Sequence, residues 1–346
     1  MSLEPLSPNN QNTKPIVVGV QENFEGLDRV KGDDIHTARQ RKLIQNSLLK
    51  DDFLNYQPVK DGKTIGIEDL IKDFNSKQQM RELYIFNRLK LKNHRNNAVA
   101  GINNSLFIKH AANDIISRLG MIDKDVSDIL EISAKCGYLT SLLKNAYRSA
   151  NITVTDMSPL LLDSFEYNHK LLIDDEDLEF PKDSFDLIIY SLGLHWINDV
   201  QSFLSNIKTF LKPEGIFIGN FVGGNSLKNL RKSLIDAETA SGFKHYPHIS
   251  PFIHFDHVPM LLLQAGFAEV IIDYENIELK FDNLVALMRE IKNIGESNSL
   301  NSSHNYAISK KMFSLLQNYT NGFEDNINLI SFIASPNKNS IRLKLL

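Results

Sequence analysis

A single cysteine, Cys136, excludes an intramolecular disulfide and suits a reducing compartment. No apolar run approaches the roughly 18 residues that a membrane-crossing helix needs, so no membrane span is expected. The formal net charge of -4 lacks the basic excess of a general nucleic-acid binder, and no nucleic-acid partner is expected. The opening stretch, MSLEPLSPNNQNTKP, has no apolar signal core and carries an early acid, Glu4. Neither a secretory nor a mitochondrial leader is legible there, and a cytoplasmic protein is expected. Oligomeric state leaves no mark in the sequence.

What is present is a chain of 346 residues, 42% hydrophobic and 23% charged, enough for one full-sized core and an appendage. The most legible stretch is 183–221, DSFDLIIYSLGLHWINDVQSFLSNIKTFLKPEGIFIGNF. Residues 185–191 form a short apolar run of the kind buried on both faces of a parallel sheet. Asn198 or Asp199 caps a following helix, whose Val200, Phe203, Leu204, Ile207, Phe210 and Leu211 share one face. Lys212-Pro213-Glu214-Gly215 then turns the chain into a second strand at 216–220. This is one βαβ unit.

Residues 1–80 differ in character, with Pro, Asn and Ser at the start, dense charge and broken apolar patches. They read as an extension, disordered over its first dozen residues, with short helices at 35–49 and 68–74. It is either a loosely packed arm or a partner-binding one. From residue 83 to 119 the pattern turns helical; Gly120 is the expected stop. Arg88, Lys90, Lys92 and Arg95 give this region a basic face, more commonly solvated than directed at an anionic ligand or partner. Strands are expected at 127–133 and 151–155, and helices at 138–147 and 158–170. Such alternation gives an α/β fold, a three-layer Rossmann-like sandwich around a mostly parallel sheet. Further helices are expected at 258–266, 284–294 and 310–319, one or two strands at 268–281, and a last strand at 329–334. Residues 81–335 are read as one domain and 336–346 as a frayed tail.

Ligands in such sheets bind at the carboxyl ends of the strands. Four strand ends carry candidates. Glu131 precedes a turn, Ser133-Ala-Lys-Cys-Gly137, where a nucleotide-binding fold would be glycine-rich so that the backbone can approach its ligand. Asp156 ends the next strand, placed for a ribose diol or simply opening a strand-to-helix turn. Asp174 lies in an acidic loop, able to accept from an exocyclic amine or merely to be solvated. Ser191 opens the loop that reaches Asn198, where His195 and the sole tryptophan, Trp196, either line a pocket or plug the sheet top. Cys136 has no adjacent base and is not read as a nucleophile. His245, His248, His254 and His257 match no ligand spacing, and no metal is expected.

Taken together these residues resemble the class I S-adenosylmethionine-dependent methyltransferases. More specifically they resemble the branch of the mitochondrial complex I assembly factor with a methyltransferase domain, related to the malonyl-carrier-protein O-methyltransferase of biotin synthesis. The resemblance spans about 85–334. It rests on IFNR at 85–88, SFDLIIYSLGLHWIND at 184–199, LKPEGIFIG at 211–219, Gly223-Gly224, PHISPF at 247–252, QAGF at 264–267 and GESN at 295–298. It implies a methyltransferase with S-adenosylmethionine as cofactor, a protein or carrier-bound acceptor, and a link to respiratory complex I assembly. The family's contacts carry over to Glu131, Ser133 and Gly137 for the methionine moiety, Asp156 for the ribose and Asp174 for the adenine amine. Ser191 would face the sulfonium, and His195 is the candidate base. The family turn has three glycines at alternating positions. Here they are Ser133, Lys135 and Gly137, and a lysine close to a sulfonium adds repulsion. The alternative is a catalytically degenerate relative acting as an assembly or binding factor.

Overall fold

The computed structural model describes residues 84–242, 247–301, 308–317 and 322–344, together with short strands at Ile16–Gly19, Val59–Lys60 and Lys63–Thr64. The helices expected at 35–49 and 68–74 lie outside the described residues. Two units are delimited: residues 1–20 with 88–346, and residues 21–87. In the second unit Val59–Lys60 (β2) pairs antiparallel with Lys63–Thr64 (β3).

The larger unit is organised by an eight-stranded sheet. Its strands are β1 (Ile16–Gly19), β4 (Asp128–Ile132), β5 (Asn151–Asp156), β6 (Lys170–Leu172), β7 (Phe185–Ser191), β8 (Leu211–Gly223), β9 (Glu269–Phe281) and β10 (Phe323–Ser335), in the order β1-β9-β10-β8-β7-β4-β5-β6. The run β6-β5-β4-β7-β8 is parallel, while β10 lies antiparallel between β8 and β9. Strand order reverses beside β4: the chain moves outward to β5 and β6, then crosses back to β7. A crevice opens at such a switch point, at the carboxyl ends of β4 and β7.

Helices α1 (Arg88–Ile102), α2 (Leu106–Met121), α3 (Tyr138–Ala146), α4 (Pro159–Asp163), α5 (Val200–Phe210), α6 (Lys228–Ser241), α7 (Val258–Gln264), α8 (Leu284–Asn293) and α9 (Lys310–Leu316) complete it. On one face Ile115 and Leu119 of α2 and Leu139 and Leu143 of α3 pack on Ile129, Leu187 and Ile189. On the other, Phe203, Leu204 and Ile207 of α5 and Val258 and Leu262 of α7 pack on Ile188, Phe217 and Phe332. The α5 stripe buries the side anticipated from its three-and-four spacing, and Asp199 caps it by accepting the Ser202 N–H at 2.9 Å. A third apolar cluster joins α1, α6, α8 and α9 to the ends of β9 and β10, beyond the carboxyl edge of the parallel strands.

Several local expectations are corrected. Gly120 does not stop α2, which continues to Met121. The helix expected at 158–170 is five residues long; Ser158 caps it, and the chain turns out into the short strand β6. The basic face of α1 is not solvated throughout: Arg95 is buried and Arg88 is paired with Asp174. Residues 336–344 are held rather than frayed. Glu269 accepts the N–H groups of Ser340 and Ile341, the Ile341 side chain is buried, and Leu343 bridges to Ile122.

Candidate functional site

The turn after β4 keeps a glycine-type backbone without the glycines. Ser133, Lys135 and Gly137 all have positive φ, at 58°, 54° and 70°. Only glycine visits that region freely, so Ser133 and Lys135 hold strain that the surroundings must enforce. The enforcing contacts are visible. Ala134 donates its N–H to the Thr155 carbonyl at 2.9 Å, and the Lys135 N–H goes to the Asp156 carboxylate at 2.9 Å. At Gly137 a side chain would be impossible, because a Cβ there would sit 2.4 Å from the Phe165 ring.

Glu131, on β4 just before the turn, is 1% exposed, and neither carboxyl oxygen has a hydrogen-bond partner among the described residues. Burial in these surroundings pushes its pKa up to about 8. Asp156 is fully buried, with one oxygen taken by the Lys135 N–H and the other by the Ser158 N–H. Burial also raises its pKa, against the pull of Arg95. Asp174 accepts from Arg88 Nε at 2.9 Å and Nη2 at 2.6 Å; burial opposes its ionisation, but Arg88 outweighs it and holds the pKa low. Ser191 donates its hydroxyl to Asn220 at 2.9 Å.

Two features were not anticipated in sequence. Arg95 of α1 is 1% exposed, with Nη1 3.4 Å from Asp175; its Nε and Nη2 have no partner among the described residues. Tyr190 donates its hydroxyl to the same Asp175 oxygen at 3.0 Å. The second is Glu296, from the GESN segment. Gly295, at φ 79°, turns that segment against α1, where a Cβ would be 3.1 Å from the Arg95 backbone. Glu296 is thereby delivered to the crevice. One oxygen accepts from Lys135 Nζ at 3.1 Å; the other lies 3.0 Å from His195 Nε2 and accepts the Trp196 indole N–H. Burial works against its charge, yet Lys135 and His195 hold its pKa far below the ordinary carboxylate value. For His195 burial dominates, and its pKa is lowered despite Glu296.

Glu296 also borders a cavity of about 350 Å³ whose lining includes Phe107, Val222, Leu230, Leu234, Phe252 and Leu279, together with His195, Trp196 and the polar groups His248, Glu290, Lys292 and Asn298. The structure therefore brings Glu131, the turn and Asp156 together, and joins Lys135 to His195 through Glu296. His195 and Trp196 line a pocket; they do not plug the sheet. His248 pairs with Glu238 at 2.6 Å, and His254 with Asp256 at 3.2 Å. His245 lies outside the described residues.

A family profile described as a methyltransferase domain matches residues 130–219, from β4 into β8. "Putative methyltransferase RP459" of Rickettsia prowazekii is 84% identical over 226 residues, 65% of this chain and all of that protein. The chain belongs to the methyltransferase family of that relative. The mitochondrial arginine-hydroxylase NDUFAF5 of Rattus norvegicus is 37% identical over 53% of this chain and 54% of its own. Malonyl-acyl-carrier-protein O-methyltransferase 1 of Coxiella burnetii is 26% identical over 63% of this chain and 79% of its own. The chain thus matches about half the length of the arginine-hydroxylase. No described helix of this methyltransferase-family chain is long and apolar enough to cross a membrane.

Proposed function

We propose that the protein binds S-adenosylmethionine at the turn 133–137 and transfers its methyl group to an acceptor presented by a protein or a carrier. The observation that carries this reading is the left-handed backbone kept at Ser133 and Lys135. Residues other than glycine hold that conformation only when something over-determines it, and a turn that approaches a ligand through its backbone is such a reason. Glu131 fits the methionine end: its buried, unpartnered carboxyl suits an ammonium donor. The ribose and adenine ends fit less well, since Asp156 is enclosed and Asp174 is tied to Arg88. When bound, the cofactor supplies an already activated methyl group, and the protein's contribution is alignment and exclusion of water.

The acceptor class is drawn from the relatives, one named for arginine and the other for a carrier-bound malonyl group. A part in complex I assembly follows from the branch resemblance alone. The second reading, a methyltransferase-fold assembly factor without catalysis, is favoured by the Lys135–Glu296 bridge, which places a cation beside the expected sulfonium. Calorimetric titration of the folded protein with S-adenosylmethionine and S-adenosylhomocysteine separates the two. The first reading expects binding that strengthens in Lys135→Gly. Absence of heat at millimolar ligand in both proteins would sink it.

A further inference from the structure

Lys135 stands where the backbone conformation favours glycine, and its side chain stays inside the crevice. A lysine ammonium ordinarily extends to water and keeps its hydration. Here the residue is 4% exposed, and its Nζ lies 3.1 Å from Glu296. The ammonium is thereby held between the turn that follows β4 and the short helical turn Leu194–Trp196 that follows β7. The carboxylate that holds it comes from neither strand. Gly295 turns its segment against α1, and Glu296 reaches in, its second oxygen meeting His195 Nε2 at 3.0 Å and the Trp196 indole N–H.

The neighbouring carboxyl groups are poorly placed to balance this lysine. Burial pushes the Glu131 pKa up to about 8, so near neutral pH that group is largely uncharged. Asp156 is raised as well, and its oxygens are taken by two backbone N–H groups. Asp174 pairs with Arg88, and Asp175 with Arg95. Glu296 is the ionised carboxylate in contact with Lys135, and burial favours the neutral ring of His195 beside it. Lys135 and Glu296 therefore form a buried pair of zero net charge. Removing either partner leaves a full charge in a place where salt screens little.

We propose that Glu296 is a specificity-determining residue for the cofactor: held against Lys135, it cancels the charge of the lysine and lets a turn with lysine in place of glycine accept a sulfonium. The inference rests on the reading that S-adenosylmethionine binds at 133–137. It goes beyond that reading by assigning the discrimination between a sulfonium and the neutral thioether of S-adenosylhomocysteine to a residue 161 positions further along the chain.

Titration calorimetry with S-adenosylmethionine and S-adenosylhomocysteine, which differ by one methyl group and one positive charge, tests this in the wild-type protein, Glu296→Gln, Lys135→Met and the double variant, each shown to be folded by circular dichroism. Glu296→Gln leaves Lys135 uncompensated and should lower the preference for S-adenosylmethionine about tenfold. Lys135→Met leaves Glu296 unopposed and should raise that preference by about the same factor, while the double variant returns to within about threefold of the wild type. Sinefungin, which carries an ammonium in place of the sulfonium, should follow S-adenosylmethionine in every protein. If Glu296→Gln does not fold, the rise in Lys135→Met decides alone. An unchanged preference in the single variants, or sinefungin following S-adenosylhomocysteine, overturns the proposal and leaves cofactor binding intact. Binding confined to Lys135→Met would show that Glu296 does not cancel the lysine, and overturns it too. Absence of binding in all four proteins overturns the reading at 133–137 and the proposal with it.

Discussion

The two ends of the crevice are built from opposite materials. At the turn end, ionisable groups are packed to near-complete burial: Glu131, Lys135, Asp156, Asp175 and Arg95 are each less than 5% exposed. At the other end a void is walled mostly by leucine, isoleucine and phenylalanine, with His248, Glu290, Lys292 and Asn298 also in its lining. Glu296 stands between them, bonded to Lys135 on one side and to His195 and Trp196 on the other. The charged end is rigid because each group depends on its neighbours; the other end is more permissive because most of its wall is apolar and selects mainly by shape. Recognition of a defined ligand belongs at the first, and tolerance among related apolar groups at the second.

The largest expected effect breaks the charged end. Removing Arg95 leaves Asp156 buried without its nearby cation and Asp175 with only the 3.8 Å contact to Arg88, and Arg95→Ala should destabilise by about 3 kcal/mol. Urea denaturation, compared at equal m-value, measures it; a loss below about 1 kcal/mol would mean that the cluster is not energetically coupled. The next effect contrasts the two materials. Leu130→Ala, in the packed β4 core, should cost about 3–5 kcal/mol. Leu230→Ala, whose side chain already faces a void, should cost about 2 kcal/mol less. Equal losses would show that the cavity is closed in solution.

A third prediction separates two glutamates by sign. Glu131 has a folded pKa raised to about 8, against roughly 4.3 in an unfolded chain. Between these values the unfolded chain has released a proton that the folded one still holds, so stability falls as pH rises. The slope is at most about 1.4 kcal/mol per pH unit. Glu131→Gln should flatten it, which urea midpoints at pH 6 and 7.5 would show. Glu296 acts in the opposite sense: its folded pKa is depressed, so its contribution is present above about pH 4.3 and is lost as pH falls further. Retention of the wild-type slope in Glu131→Gln would assign the titration to another group.

Legibility in the sequence followed periodicity. The unit from 185 to 223 could be read because its strands are apolar runs and its helix has a clean stripe, and the mostly parallel sheet followed from alternation, though its strand order did not. The α4 region misled because Leu160, Leu161 and Phe165 have helical spacing, although Phe165 instead covers Gly137. The candidate site was half legible. Glu131, the turn and Asp156 are strand-end residues at known offsets. Arg95 and Glu296 come from a helix and a loop distant in sequence, and a residue buried by tertiary packing leaves no local signal. GESN was visible as a motif, but its role needed Gly295 to turn it onto α1.

The smallest effect bears on why the turn is strained. Ser133 is held at φ 58° by the contacts of its neighbours, and its hydroxyl has no partner among the described residues. A glycine there relieves about 1 kcal/mol of backbone strain. It also loosens the unfolded chain, which offsets roughly half of that gain. Ser133→Gly should therefore stabilise by about 0.5 kcal/mol, resolvable as a small rise in urea midpoint. Lys135→Gly relieves similar strain but discards the bridge to Glu296, so it should not be stabilising. If both glycines stabilise equally, the bridge contributes nothing to folding, and the charged end is held by Arg95 and the backbone N–H groups alone.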